Sequence, residues 1–174
     1  AVGEAWSTRR RWVGAGLASI AAAYAYTAGK RPYGYSGLGD ISVLIFFGFA
    51  GVAGTAALIT GDFEPLWLLP SATIGLLSVG VLNLNNLRDH VSDAATGKQT
   101  LVVRMGFRQG KIYHAALIIG AWVALLAFWM LDGSGPWRGH LWYGLFGLVH
   151  ARHLAFVFRT EHPAELDGEL KKIA

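Results

Sequence analysis

Asp89 and Asp93 stand four residues apart in the run Asn85-Asn86-Leu87-Arg88-Asp89-His90-Val91-Ser92-Asp93. On a helix that spacing puts both carboxylates on one face, with Cβ atoms about 5–6 Å apart. Two like charges so placed repel, weakly in water and more strongly at the mouth of a low-dielectric bundle, unless a cation sits between them. Mg²⁺ suits such a pair, because it takes one or two carboxylates together with substrate phosphate oxygens and keeps several waters. Taken alone, the pair also fits a plain solvated loop. Its neighbours argue for more: Asn85 and Asn86 supply amide oxygens and donors, Arg88 and Lys98 supply cations for phosphate oxygens, and Gly97 permits a tight turn. The paired acids therefore point to a Mg²⁺-diphosphate site.

A second group of chemistry-bearing residues lies upstream in YTAGKRPYGYSGLGD, from Tyr26 to Asp40. Tyr26 and Lys30 are also four apart, so a phenol and an ammonium can face one anion. Tyr33 and Tyr35 add flat amphipathic surfaces, although Tyr at an interface and Lys in a loop also serve membrane topology alone. His90, between the two acids, fits either a general base or a solvated loop histidine. His150, Arg152 and His153 fall in an apolar segment, where ionisable groups are costly and turn inward. They read as structural or interface residues; ligation of a haem or metal by His150 and His153 is disfavoured, since no Cys or further His cluster joins them.

The elements that carry these residues are set by hydropathy. The 174 residues are 53% hydrophobic and 15% charged, and the mean hydropathy is +0.40. Such a composition is wrong for an ordinary soluble domain and right for an integral membrane protein. With no cysteine, disulfides and thiolate metal sites are excluded. The net charge of +4 does not form one basic face, so no nucleic-acid partner is expected. A bilayer core of about 30 Å needs roughly 20 apolar residues as helix. Segments 12–27, 41–60, 66–84, 112–131 and 140–158 meet or approach that length. Isolated strands cannot satisfy their backbone in lipid, so the fold class is an all-α, polytopic transmembrane bundle of about five helices, forming one membrane domain over 1–174.

If each segment crosses once, loops 28–40 and 85–111 and the tail 159–174 share one face. That face holds Lys30, Arg31, Arg88, Lys98, Arg104, Arg108, Lys111 and the tail cations, against Arg9, Arg10, Arg11 and Arg138 on the other. The excess assigns it to the cytoplasm, with the Arg9–Arg11 triplet as the one contrary signal. Gly48, Gly51, Gly54, Gly75 and Gly80 read as close helix packing. The first residues do not resemble a translation start and the polar tail stops without a closing apolar element, so the chain is expected to be the middle of a longer one.

Asn85-Asn86-Leu87-Arg88-Asp89, with Asp93 and then Gly97-Lys98-Gln99-Thr100-Leu101, closely resembles the second Asp-rich motif of the UbiA superfamily of membrane prenyltransferases. The NNxRD start and the YTAGKRPYGYSGLGD loop are similar to the branch that uses 1,4-dihydroxy-2-naphthoate, and Tyr26 and Lys30 match the superfamily's YxxxK pattern. The resemblance implies a bundle of nine helices, of which this chain holds about the fourth to the eighth. It implies Mg²⁺ as cofactor, a polyprenyl diphosphate donor, and an aromatic acceptor that loses carbon dioxide, giving demethylmenaquinone for menaquinone biosynthesis. Matched position by position, Asp89, Asp93 and Asn86 serve the metal. Arg88, Lys98, Lys30 and Asn86 serve the diphosphate, and Tyr26 and Lys30 join Asp89 and Asp93 among the catalytic groups.

The setting it implies is the bacterial inner membrane, with the motif loops cytoplasmic. The superfamily's first Asp-rich motif and its ninth helix have no counterpart here, so the chain alone is expected to be inactive. Three alternatives stay open: another acceptor such as 4-hydroxybenzoate or homogentisate, a CDP-alcohol phosphotransferase, whose DG and AR spacing is not seen, and a secondary transporter. Transporter sites usually sit near the bilayer midplane, whereas these residues fall at one face.

Overall fold

A computed structural model describes the backbone of residues 2–28, 32–133 and 140–173, and the side chains among them except 2–11, 27, 140–142 and 173. The described residues are helical, with no strand, in agreement with the all-α membrane bundle read from the sequence. The helices are α1 (Val2–Thr27), α2 (Gly39–Thr60), α3 (Leu68–Ala95), α4 (Leu101–Met105), α5 (Phe107–Asp132), α6 (His140–Arg159) and α7 (Leu166–Ile173). Among the described residues three stretches, Gly39–Thr60, Pro65–Ala95 and Phe107–Asp132, are long and apolar enough to cross a membrane. That is fewer than the five segments expected. In α1 the apolar stretch is limited to Trp12–Tyr26, and α6 interrupts its apolar run with His150, Arg152 and His153.

The boundaries also move. The span expected to end at Leu84 continues as helix to Ala95, so 85–95 is no loop, and Asp89 and Asp93 ride on the last turns of a 28-residue helix. Hydropathy falls at Asn85, but backbone hydrogen bonding continues regardless of side-chain polarity. The helix stops only at Gly97, whose φ of 80° is the left-handed region that favours glycine.

Helix α3 is the spine, packing on α2 along one side and α5 along another. It crosses α2 at a glycine pair. A Cβ on Gly48 would lie 2.6 Å from the Ser71 carbonyl oxygen, and one on Gly75 would lie 3.1 Å from the Gly48 Cα. The close-packing reading holds for these two, whereas a Cβ on Gly51 or Gly54 would meet only its own helix. Around the crossing, Leu44–Gly54 of α2 winds as wider π turns. Ser71 Oγ accepts a bond from the Ala53 N–H at 3.1 Å while donating to the Trp67 carbonyl at 2.7 Å, so a backbone group in the widened stretch is still satisfied.

At the motif end Leu84 and Leu87 of α3, Val102 of α4, Val157 of α6, and Leu166 and Leu170 of α7 form a buried cluster. Each such side chain contributes about 1.5–3 kcal/mol by leaving water. This cluster draws the amphipathic α7 onto the end of α3 and brings the three predicted same-face segments together. The Gln99 N–H donates to the Tyr35 carbonyl at 2.8 Å, Arg104 Nη2 to the Ser36 carbonyl at 2.8 Å, and Lys111 Nζ to the Thr160 carbonyl at 2.7 Å.

Candidate diphosphate site at the end of the spine helix

Four of the residues singled out in the sequence, Tyr35 among them, meet in one cavity. Tyr26 from the end of α1, Asn86 from α3 and Lys98 from the turn after it line a space of about 110 Å³, with Tyr35, Asp40 and Thr100 on its other walls. The local sequence explains each placement. Tyr33–Ser36 forms a single 3₁₀ turn, whose Tyr33 hydroxyl donates to the Ala22 carbonyl at 2.8 Å. The Tyr33 ring meets Tyr26 edge-on, with centroids 5.5 Å apart. Thr100 Oγ1 accepts from the Val103 N–H at 3.2 Å and so starts α4, turning the chain back after Gly97 and leaving Lys98 at the cavity.

Lys98 couples the cavity to the acidic motif. Its Nζ lies 3.1 Å from Asp93 Oδ1 and 5.1 Å from the centre of the Tyr35 ring. Asp93 is buried, and among the described residues its Oδ2 has no hydrogen-bond partner. A buried carboxylate with one oxygen unmatched is costly, and a further cation or donor there would relieve that cost.

Asp89 is served differently. Arg88 reaches back along α3 and grips it with two parallel bonds, Nε to Oδ1 and Nη2 to Oδ2, both 2.7 Å. Arg88 Nη1 also reaches Asp167 Oδ1 on α7 at 3.4 Å. Asp167 is held below the usual carboxylate range, first by its hydrogen bond from Lys171 and then by the nearby Arg88. The repulsion expected between Asp89 and Asp93 is thus answered in the protein by two separate cations. Arg88 faces acids and does not line the cavity.

Oxygen atoms from Asp93, Asp89 and Asn86 are the hard donor type that Mg²⁺ takes, and the bare Asp93 Oδ2 is a position such an ion would satisfy. Among the described residues no three His, Cys, Asp or Glu side chains converge on one point, so a metal here would complete its shell with substrate oxygens and water. Lys30 lies outside the described residues, and so does its pairing with Tyr26. His90 is anchored: its Nδ1–H donates to the Leu87 carbonyl at 2.9 Å and its ring stacks on Phe107 at 5.1 Å.

Two groups escaped the sequence reading. Asp40 and Tyr113 meet beside the cavity, with the phenol donating to Asp40 Oδ1 at 3.4 Å across 73 positions of chain. The second is a buried chain: His114 Nε2 to His153 Nε2 at 2.8 Å, His153 Nδ1 to Glu169 Oε1 at 2.9 Å, and Lys172 Nζ to Glu169 Oε2 at 3.0 Å. His153 therefore has the structural role expected of it. His150 has different company, with its Nδ1–H donating to the Phe146 carbonyl at 2.8 Å and its ring edge-on to Trp122. The only sequence signal for the chain was an ionisable group inside an apolar run.

Residues 1–166 match the model of the UbiA prenyltransferase family. A 1,4-dihydroxy-2-naphthoate octaprenyltransferase of Haemophilus influenzae is 44% identical over 155 residues, 89% of this chain and 50% of that protein. One of Escherichia coli (strain K12) is 50% identical over 119 residues, 68% of this chain and 39% of that protein. One of Mycobacterium tuberculosis is 36% identical over 125 residues, 72% of this chain and 42% of that protein. The matches therefore span at most about half the length of these curated relatives. No solved structure matches. A family model covering nearly the whole chain, on a helical frame whose motif residues gather at one end, makes this chain a member of the UbiA prenyltransferase family.

Proposed function

We propose that this chain is the middle of a longer enzyme, about helices four to eight of nine. That enzyme transfers a polyprenyl group from polyprenyl diphosphate to 1,4-dihydroxy-2-naphthoate, with loss of carbon dioxide, in menaquinone biosynthesis. The observation that carries the reading is the position of the Asn86, Lys98 and Tyr26 cavity, at the end of a long apolar helix and next to a buried Asp93 with a bare oxygen. A substrate with an anionic head and a hydrocarbon tail needs both environments within a few ångströms. The relatives named above supply the acceptor and the octaprenyl class of donor.

In this reading Lys98 binds the leaving diphosphate as a point charge, Asn86 donates from its amide, and the Tyr26 hydroxyl closes the site on the side of α1. Lys30 adds a second ammonium. Arg88 acts at one remove, holding Asp89 in a fixed rotamer and tying it to α7 through Asp167. Asp89, Asp93 and Asn86 would hold Mg²⁺, which when bound supplies charge to neutralise the departing diphosphate. The apolar surroundings keep water from an electron-poor allylic carbon. The bundle lies in the cytoplasmic membrane with the motif end inward, a placement supported by the excess of Lys and Arg at that end.

The test offers the full-length protein in membranes polyprenyl diphosphate with either dihydroxynaphthoate or 4-hydroxybenzoate, each with Mg²⁺ and with a chelator. The expected result is chelator-sensitive prenylation of the naphthoate alone. Product with the benzoate would keep the mechanism and change the acceptor, and no product with either would reject prenyl transfer.

A further inference from the structure

Asp40 differs from the other buried or half-buried acids at the motif end. Asp89 has Arg88, Asp93 has Lys98, Asp167 has Arg88 and Lys171, and Glu169 has Lys172. Asp40 is 5% exposed, and among the described residues it has no cation within ion-pair distance. Its protein donors are the Tyr113 hydroxyl at 3.4 Å and its own backbone N–H. A carboxylate accepts about four hydrogen bonds, so Asp40 keeps acceptor capacity on the cavity it shares with Asn86 and Lys98. A buried carboxylate left without a cation is a cost that packing does not require, since an uncharged residue would fill the same space.

Resting on the prenyltransfer reading, we propose that Asp40, oriented by Tyr113, receives the ring hydroxyl of the aromatic acceptor and takes its proton as the ring attacks. An electron pair of the ring carbon that bears the carboxylate forms the new bond to the allylic carbon, whose bond to diphosphate breaks with the pair leaving on oxygen. At the same time the hydroxyl O–H pair becomes the ring C=O, and the proton passes to a carboxylate oxygen of Asp40. Loss of carbon dioxide then returns its bonding pair to the ring, and Asp40 gives the proton back to the ring oxygen. The net products are the prenylated ring, carbon dioxide and diphosphate, with Asp40 unchanged. Asp40 sits on the same cavity as the groups that face the diphosphate, which is where an acceptor must lie for its ring to reach the allylic carbon.

The test uses the full-length protein in membranes with a dihydroxynaphthoate and its mono-O-methyl ether as rival acceptors. The wild-type protein is expected to favour the free hydroxyl by about 10²-fold or more, because a site built to pair with a hydroxyl rejects an acceptor that lacks it. Asp40→Asn lowers kcat by about 10²-fold or more, the scale of general-base removal. It leaves KM for polyprenyl diphosphate nearly unchanged and collapses the hydroxyl-over-ether preference, while Asp40→Glu restores part of both. Retention of the preference in Asp40→Asn, or a loss confined to donor KM, overturns the assignment. If Asp40→Asn fails to fold, Tyr113→Phe carries the test: the preference falls about tenfold, the weight of one orienting bond to a charged group, and an unchanged preference overturns the proposal. A wild-type protein that prenylates no aromatic acceptor rejects the broader prenyltransfer reading instead, whereas an active wild type with an indifferent Asp40→Asn rejects this assignment alone.

Discussion

The carboxylates of α3 and the histidines of α5 and α6 both place ionisable groups inside a helix bundle, and they resolve the cost in opposite ways. Arg88, Asp89, Asp93 and Lys98 come from eleven consecutive positions, and all but Asp93 keep partial contact with solvent. They are nearest neighbours by helix geometry and one turn. The cluster retains an unmatched oxygen on Asp93, so it is electrostatically unfinished. His114, His153 and Glu169 come from three helices and are all buried. An ionised Glu169 only accepts, so His153 Nδ1 carries the hydrogen, and the contact between the two Nε2 atoms needs one donor and one acceptor. That chain is complete in itself except at His114 Nδ1. The unfinished cluster keeps a free acceptor oxygen beside the cavity that Lys98 lines; the finished one fastens α5, α6 and α7 together.

The largest separation between them should come from Asp93→Asn in the full-length protein. Turnover in membranes is expected to fall by at least about 10²-fold, the scale of removing one transition-state electrostatic partner, with the melting temperature in detergent little changed. Full activity in that variant would erase the distinction drawn here. The reverse pattern is expected for His153→Leu. It strands Glu169 and His114 without their shared partner and costs about 3–5 kcal/mol of stability, read by chemical denaturation, with faster amide exchange over 166–173. Unchanged exchange there would mean that Leu166 and Leu170 hold α7 unaided.

Gly48→Ala tests the frame that both clusters stand on. A methyl group 2.6 Å from the Ser71 carbonyl must push α2 and α3 apart, at about 1–3 kcal/mol. With one cysteine introduced on each of α2 and α3, a disulfide-trapping rate unchanged by Gly48→Ala would show that the crossing relaxes freely.

The smallest effect is acidic loss of α7 docking. Burial opposes charge on Glu169, but its hydrogen bonds from His153 and Lys172 outweigh that and hold its pKa below the ordinary 4.5. A depressed carboxylate adds stability that is fully present above its unfolded value and is lost as pH falls through the folded one. Amide exchange over α7 should therefore rise only as pH drops below about 4.5, and Glu169→Gln should flatten that dependence.

The two clusters also differ in how far they could be read before folding. Asp89, Asp93, Asn86 and Lys98 were legible because their contacts are local: a four-residue helical offset, then a glycine-permitted turn. Their cavity partner Tyr26 was legible through its loop motif, although nothing local places that loop against Asn86. The end of α3 was misjudged by eleven residues, since hydropathy marks where lipid stops and backbone hydrogen bonding carries the helix on to Gly97. Asp40 and Tyr113 were passed over because a single acid and a single phenol far apart in sequence carry no spacing signal.

Sequence by itself determined the all-α membrane class and the residue types of the acidic motif, because each follows from composition or from offsets within one helix or turn, and the resemblance of its two loop motifs gave the family. Tertiary structure alone decided that Arg88 reaches Asp167 and does not line the cavity, that Asp40 stands without a cation among the described residues, and that His114 finds His153. Those outcomes depend on how α2, α5, α6 and α7 dock around α3, through the Gly48–Gly75 crossing and the Leu87–Leu166 cluster. Such contacts join side chains that no periodicity links.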